Sequence, residues 1–114
     1  MNGITTHVLD TSLGRPAAGV PVTLEKQEAA GNWKAVGSGT TNADGRIAGF
    51  VPSGASLEAG TYRLTFDTAA YFRARGVQGF YPSVIVVFEI RDAAQHYHVP
   101  LLLSPHGYST YRGS

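Results

Sequence analysis

The sequence predicts an all-β domain, a sandwich or a barrel, with one short helix. Three observations carry this. Fourteen glycines and six prolines are spread along the 114 residues rather than pooled in one linker. The runs between them are short and rich in β-branched and aromatic residues. Those runs alternate with the period of two that sends successive side chains to opposite faces of a strand. Evenly spaced turn residues between such runs are the pattern of sandwiches and barrels, and the length suits a single domain over residues 1–114 with a core of its own.

The elements follow in order. I-T-T-H-V-L-D (4–10) puts Ile4, Thr6, Val8 and Asp10 on one face and Thr5, His7 and Leu9 on the other. T-S-L-G-R-P-A-A-G (11–19) breaks the pattern, and V-P-V-T-L-E-K-Q (20–27) resumes it. Pro21 cannot donate to a ladder, so that strand either lies at an edge or starts unpaired. N-W-K-A-V-G-S-G-T-T (32–41) is a third strand, and N-A-D-G (42–45) holds an Asp-Gly pair suited to a tight turn before the short strand R-I-A-G-F (46–50). A loose loop, S-G-A-S-L-E-A-G (53–60), leads to G-T-Y-R-L-T-F-D-T (60–68), where Tyr62, Leu64 and Phe66 share a face.

A-A-Y-F-R-A-R-G (69–76) has no β alternation. Its helix formers, an N-cap in Asp67 or Thr68 and Gly76 as a stop predict about two turns of helix. Two long strands follow, P-S-V-I-V-V-F-E-I (82–90) and Q-H-Y-H-V-P-L-L-L-S (95–104), joined by the turn R-D-A-A. G-Y-S-T-Y-R-G-S (107–114) closes the chain as a final strand. The expected total is seven or eight strands and one helix.

Composition excludes several classes. A net charge of +1 with only 15% charged residues gives no reason to expect a nucleic-acid partner. The longest apolar runs, 84–88 and 99–103, are far short of a membrane span. With no cysteine there is no disulfide, thiolate nucleophile or cysteine-based zinc site, which fits a reducing compartment. Residues 1–20 lack a basic start followed by an apolar stretch, so a cytoplasmic location is expected, with a periplasmic one, after removal of a leader, as the alternative. The ending Arg-Gly-Ser is not a Ser-Lys-Leu peroxisomal address.

Three of the four histidines fall between residues 96 and 106. His96 and His98 stand two apart, so both leave the same face of a strand. Such a pair can ligate a metal, or divide labour between accepting a proton and donating a hydrogen bond. No Asp, Glu or Cys follows Asp92 to complete a ligand set, so imidazole chemistry is expected rather than a metal site. His98, deeper in its strand, is the functional candidate, whereas His96 and His106 read as bystanders. His7 alone would read as a satisfied or surface residue, and Arg46 alone as a solvated hairpin arginine, although a guanidinium suits a planar, carbonyl-rich ligand. The ending Y-R-G-S offers a phenol, a guanidinium and a hydroxyl where termini usually fray.

Taken together, T-H-V-L-D-T-S-L-G-R-P-A-A-G-V-P-V-T-L, T-N-A-D-G-R-I, F-Y-P-S-V-I-V-V-F-E-I and H-Y-H-V-P-L-L-L-S-P-H-G-Y-S-T-Y-R-G-S resemble the transthyretin-like 5-hydroxyisourate hydrolases over essentially the whole chain. The terminal Tyr-Arg-Gly-Ser is the most specific mark and separates these enzymes from the hormone-carrying transthyretins of the same fold. The resemblance implies a two-sheet, transthyretin-like sandwich of eight strands with one short helix, assembled as a homotetramer, a dimer of dimers with active sites where the dimers meet. It implies His7, Arg46 and His98 as the catalytic set, with Tyr111, Arg112, Gly113 and Ser114 lining the substrate pocket. It also implies a reaction without metal or organic cofactor: ring opening of 5-hydroxyisourate by histidine-activated water. Which histidine is the base is left open by the sequence, and our working hypothesis has His98 holding or activating the water with His7 supporting it. Rival expectations are a non-enzymatic transthyretin-like carrier and a generic prealbumin-like binding module. Neither accounts for His7, the His-x-His strand and the ending together.

Overall fold

The structure, a computed structural model, describes residues 3–50 and 57–113. The first half of the 53–60 loop and Ser114, one of the expected pocket residues, lie outside the described residues. The described residues form β1 (Gly3–Asp10), β2 (Arg15–Pro16), β3 (Pro21–Gln27), β4 (Trp33–Thr40), β5 (Arg46–Ile47), β6 (Gly60–Phe66), α1 (Thr68–Ala74), β7 (Val84–Ile90), β8 (His96–Ser104) and β9 (Gly107–Thr110). One sheet has the order β2-β1-β8-β9, with β5 also on β1, and the other has the order β4-β3-β6-β7. The pairings are antiparallel except that of β1 with β8, which is parallel.

The period of two decides which side chains fill the space between the sheets. Ile4, Val8, Leu101 and Leu103 from one sheet and Val22, Leu24, Leu64 and Phe66 from the other are almost wholly buried. Truncating any of these leucines to alanine would cost about 2–5 kcal/mol. Pro21 begins a strand that is central, not at an edge. Opposite β4 it is paired with Thr40, but opposite β6 the ladder begins only at Val22. Its missing N–H therefore matters only at the strand's first residue, where a proline is tolerated.

Two short pairings depart from the sequence expectation. Within the turn-rich stretch 11–19, Arg15 and Pro16 pair with Asp10 and Leu9. Two residues carry no visible alternation, and this raises the strand count among the described residues above eight. The expected strand at 46–50 contracts to Arg46–Ile47. The helix obeys its punctuation: Asp67 Oδ1 accepts the Ala70 N–H at 3.0 Å, and Gly76 stops it with φ +69°. Thr68, the other N-cap candidate, is buried and donates instead to the Tyr81 carbonyl at 2.6 Å.

Candidate active site

The odd-numbered residues of β1 leave the sheet on the side away from the core, and this face collects the candidate groups. His7 lies directly opposite Arg46 of β5, and Thr5 directly opposite His98 of β8. The turn at 42–45 is what delivers Arg46. Asn42 Oδ1 accepts the N–H groups of Asp44 (2.9 Å) and Arg46 (3.0 Å), and the Asn42 carbonyl accepts the Gly45 N–H at 2.9 Å. The turn rests on β1 itself, since the Val8 N–H donates to the Gly45 carbonyl at 2.7 Å. Only glycine fits at 45. Its φ is +74°, and a Cβ would stand 2.4 Å from the Val8 carbonyl oxygen.

Both candidate histidines are pushed toward the neutral form. Burial, and after it the Arg46 guanidinium, push the His7 imidazole below its ordinary pKa, against a weaker opposing pull from a hydrogen bond to the Asp44 backbone and from the Asp44 carboxylate. Burial also lowers His98, followed by Arg46, His7 and His96. Arg46 thus acts on both rings and favours their uncharged forms. Uncharged imidazoles can accept and donate protons near neutral pH, and a fixed guanidinium can hold a carbonyl-rich or developing anionic ligand.

The end of the chain joins this face. β9 finishes at Thr110, and after a two-residue excursion the Gly113 N–H returns to the His98 carbonyl at 2.8 Å. A Cβ on Gly113 would lie 2.6 Å from His98 Cδ2, so the backbone passes against the imidazole at a distance that only glycine allows. Tyr111 and Arg112 form the excursion between Thr110 and Gly113. With His98, Val86 and Phe88 they line a recess of about 240 Å³ between β8 and β7 of the opposite sheet, and neither His7 nor Arg46 lines it. The Arg112 guanidinium is stacked 4.6 Å from the Tyr97 ring centroid and donates to Gln95 Oε1 at 3.1 Å.

The sequence matches the HIUase/Transthyretin family over residues 4–113. The chain belongs to that family. It is 52% identical to a probable 5-hydroxyisourate hydrolase of Caenorhabditis elegans, over 97% of this chain and 81% of that protein. Its structure resembles the 5-hydroxyisourate hydrolase of Klebsiella pneumoniae with a TM-score of 0.84 at 42% identity, over 97% of this chain and 98% of the other. Sea bream transthyretin in complex with thyroxine superposes with a TM-score of 0.89 at 33% identity, over 96% of this chain and 93% of that one. One fold thus serves a 5-hydroxyisourate hydrolase and a transthyretin that binds thyroxine.

Among the site residues, the sequence pattern brought forward His98 and the tail and the family resemblance added His7 and Arg46; the structure sets His7 opposite Arg46 on β1 and Gly113 against His98. Sequence reasoning missed Asn42, whose side chain fixes the backbone of Arg46, and Thr5, whose hydroxyl lies between His96 and His98. Asn42 had a signal, because an Asn three residues before a turn glycine commonly bonds the following backbone. Thr5 had half of one. Its face is legible from the alternation, but its neighbour on β8 is not.

Proposed function

We propose that this chain hydrolyses 5-hydroxyisourate, opening its ring to 2-oxo-4-hydroxy-4-carboxy-5-ureidoimidazoline in urate degradation. The convergence of His7, Arg46 and His98 on one outward face, closed by Gly113, carries the reading. Hydrolysis of an activated cyclic amide needs a proton acceptor for water, a donor for the oxygen that becomes negative, and a proton for the leaving nitrogen. One neutral imidazole takes the water proton, the other donates, and Arg46 anchors the ring and offsets the developing charge. In this reading the tail borders the substrate pocket: Gly113 seats it against His98, and Tyr111 and Arg112 share a recess with His98, while Ser114, outside the described residues, enters only as part of the motif that the resemblance implies. Proton transfer of this kind contributes roughly 10²–10⁴-fold per group. No cofactor enters the scheme.

The assembly in this reading is a homotetramer, a dimer of dimers. Its support is the pair of sheet edges, β7 and β9, that end without a further strand among the described residues, together with the exposed Ile85 and Val87 on β7. No helix among the described residues is long and apolar enough to cross a membrane. A cytoplasmic location is part of the reading and fits a chain without cysteine.

The deciding experiment adds purified protein to freshly generated 5-hydroxyisourate and follows the decay of its absorbance. Faster decay than in buffer is expected, and decay at the buffer rate would overturn the hydrolase reading. Light scattering on the same sample should give the mass of four 12.1 kDa chains.

A further inference from the structure

Thr5 shares the outward face of β1 with His7 and stands opposite His98 across the parallel pairing. Its Oγ1 lies 2.7 Å from His98 Nδ1 and 3.0 Å from His96 Nε2. A hydroxyl owns one proton and two acceptor positions, so the two imidazoles cannot both accept from it, and at least one must donate. The shorter contact, to His98, is the better fit for a bond that the hydroxyl donates, and the longer one, to His96, for a bond donated by a ring N–H. In that assignment Thr5 donates to His98 Nδ1 and accepts from His96 Nε2–H. His96 can supply that proton as the Nε2–H neutral form or as the cation, so the polarity of the chain does not depend on its charge.

With Nδ1 occupied as an acceptor, the single proton of a neutral His98 sits on Nε2. The Cδ2 edge of the same ring is packed by Gly113, and among the described residues no hydrogen bond to Nε2 is present.

We infer that Thr5 is a positioning residue which, backed by His96, holds His98 in its Nε2–H tautomer, so that His98 serves the reaction as a neutral hydrogen-bond donor and His7 as the proton acceptor. The inference rests on the hydrolase reading for its chemistry. It turns round the expectation that His98 activates the water, and it gives His96, a bystander in the sequence, a task. The step balances. Water gives a proton to His7 as its oxygen bonds to the ring carbonyl carbon, and His98 Nε2–H steadies the oxygen that becomes negative. As the C–N bond breaks, its electron pair goes to the ring nitrogen, which takes the proton back from His7. His98 keeps its own proton throughout.

Two measurements test this. Nitrogen-15 NMR of the imidazoles in the whole protein, at a pH where His98 is neutral, should show His98 protonated at Nε2 and bare at Nδ1. Thr5→Val keeps a β-branched residue on the strand but removes the hydroxyl. It should let the His98 tautomers mix and lower kcat by about tenfold, the order of one hydrogen bond, with KM little changed. Thr5→Ser should restore both the NMR pattern and kcat. A purely structural threonine would change stability without moving the tautomer. A wild-type His98 protonated at Nδ1, or a Thr5→Val variant with wild-type tautomer and kcat, overturns the inference. Because the NMR arm needs no substrate, a protein without turnover would sink the hydrolase reading while the tautomer remained measurable on its own.

Discussion

The two faces of β1 carry polar side chains in similar number and use them in opposite ways. Facing inward, Thr6 donates to the Val99 carbonyl at 2.6 Å, and Asp10 accepts from the Ser12 N–H at 3.0 Å and from Tyr71 Oη at 2.7 Å. Both residues are almost fully buried, and no buried side-chain nitrogen or oxygen among the described residues lacks a partner. Facing outward, His7 and His98 are only half-buried and keep ring atoms available. Burial alone would raise the Asp10 pKa, but the hydrogen bonds from Ser12, Tyr71 and Leu13 outweigh it and leave the carboxyl below its ordinary value. Tyr71 is pushed up to about 12, by burial first and by Asp10 second. The inner network closes on itself and stabilises the fold. The outer one is left open, and open polar groups beside a cation are what a substrate can use.

The comparison breaks most readily at the outer face. His98→Ala should lower kcat/KM by at least about a hundredfold, as expected for loss of a positioned donor or base, with the melting temperature held. An equal loss of stability would mean that the outer face is structural after all. Gly113→Ala asks a finer question, because its methyl would stand 2.6 Å from His98 Cδ2 and the tail or the ring must shift. Displacements of about 1 Å can cost up to about 10²-fold, so we expect a fall of tens-fold in kcat/KM with the sandwich intact. Unchanged turnover would detach the tail from the site.

The inner face should answer in the other currency. Tyr71→Phe removes one hydrogen bond to a buried carboxylate and should destabilise by about 1–3 kcal/mol in denaturant titration while leaving kcat/KM near wild type. Activity lost in proportion to stability would show that the two faces are not separable.

The smallest effect is the pH dependence, and its sign is set by the direction of the shifts. His7 and His98 titrate lower in the folded protein than when unfolded, so the unfolded chain binds more protons as pH falls. Their stabilising contribution is present above the unfolded value of about 6.5 and is lost as pH falls through the lower folded values. Stability and turnover should therefore both hold at pH 6.5 and decline below it. An acid limb of kcat/KM above 6.5 would contradict neutral, buried imidazoles.

Much of this protein was legible in its sequence because the signals were local. Alternation located β1, β3, β6 and β8, since a strand buried on one face must bury every second residue. Asp67 and Gly76 marked the helix because caps satisfy groups within a few residues of themselves. The Asp-Gly pair marked the turn that carries Arg46. A two-residue strand such as β2 is too short to show any period, and Arg112 shows nothing in sequence that would turn it onto Tyr97.

What the chain order alone could not decide was which residues face each other across the sheet. The parallel register of β1 on β8 sets Thr5 against His98, residues 93 apart in the chain, and the turn at 42–45 sets Arg46 against His7. No local pattern encodes such pairings. They are settled only when burial of both sheets' inner faces selects one register, because a slip of a single residue would turn the core side chains outward and the histidines inward. The sequence by itself determined which groups the protein has for its chemistry and which face of each strand they occupy. The tertiary structure decided which of them meet.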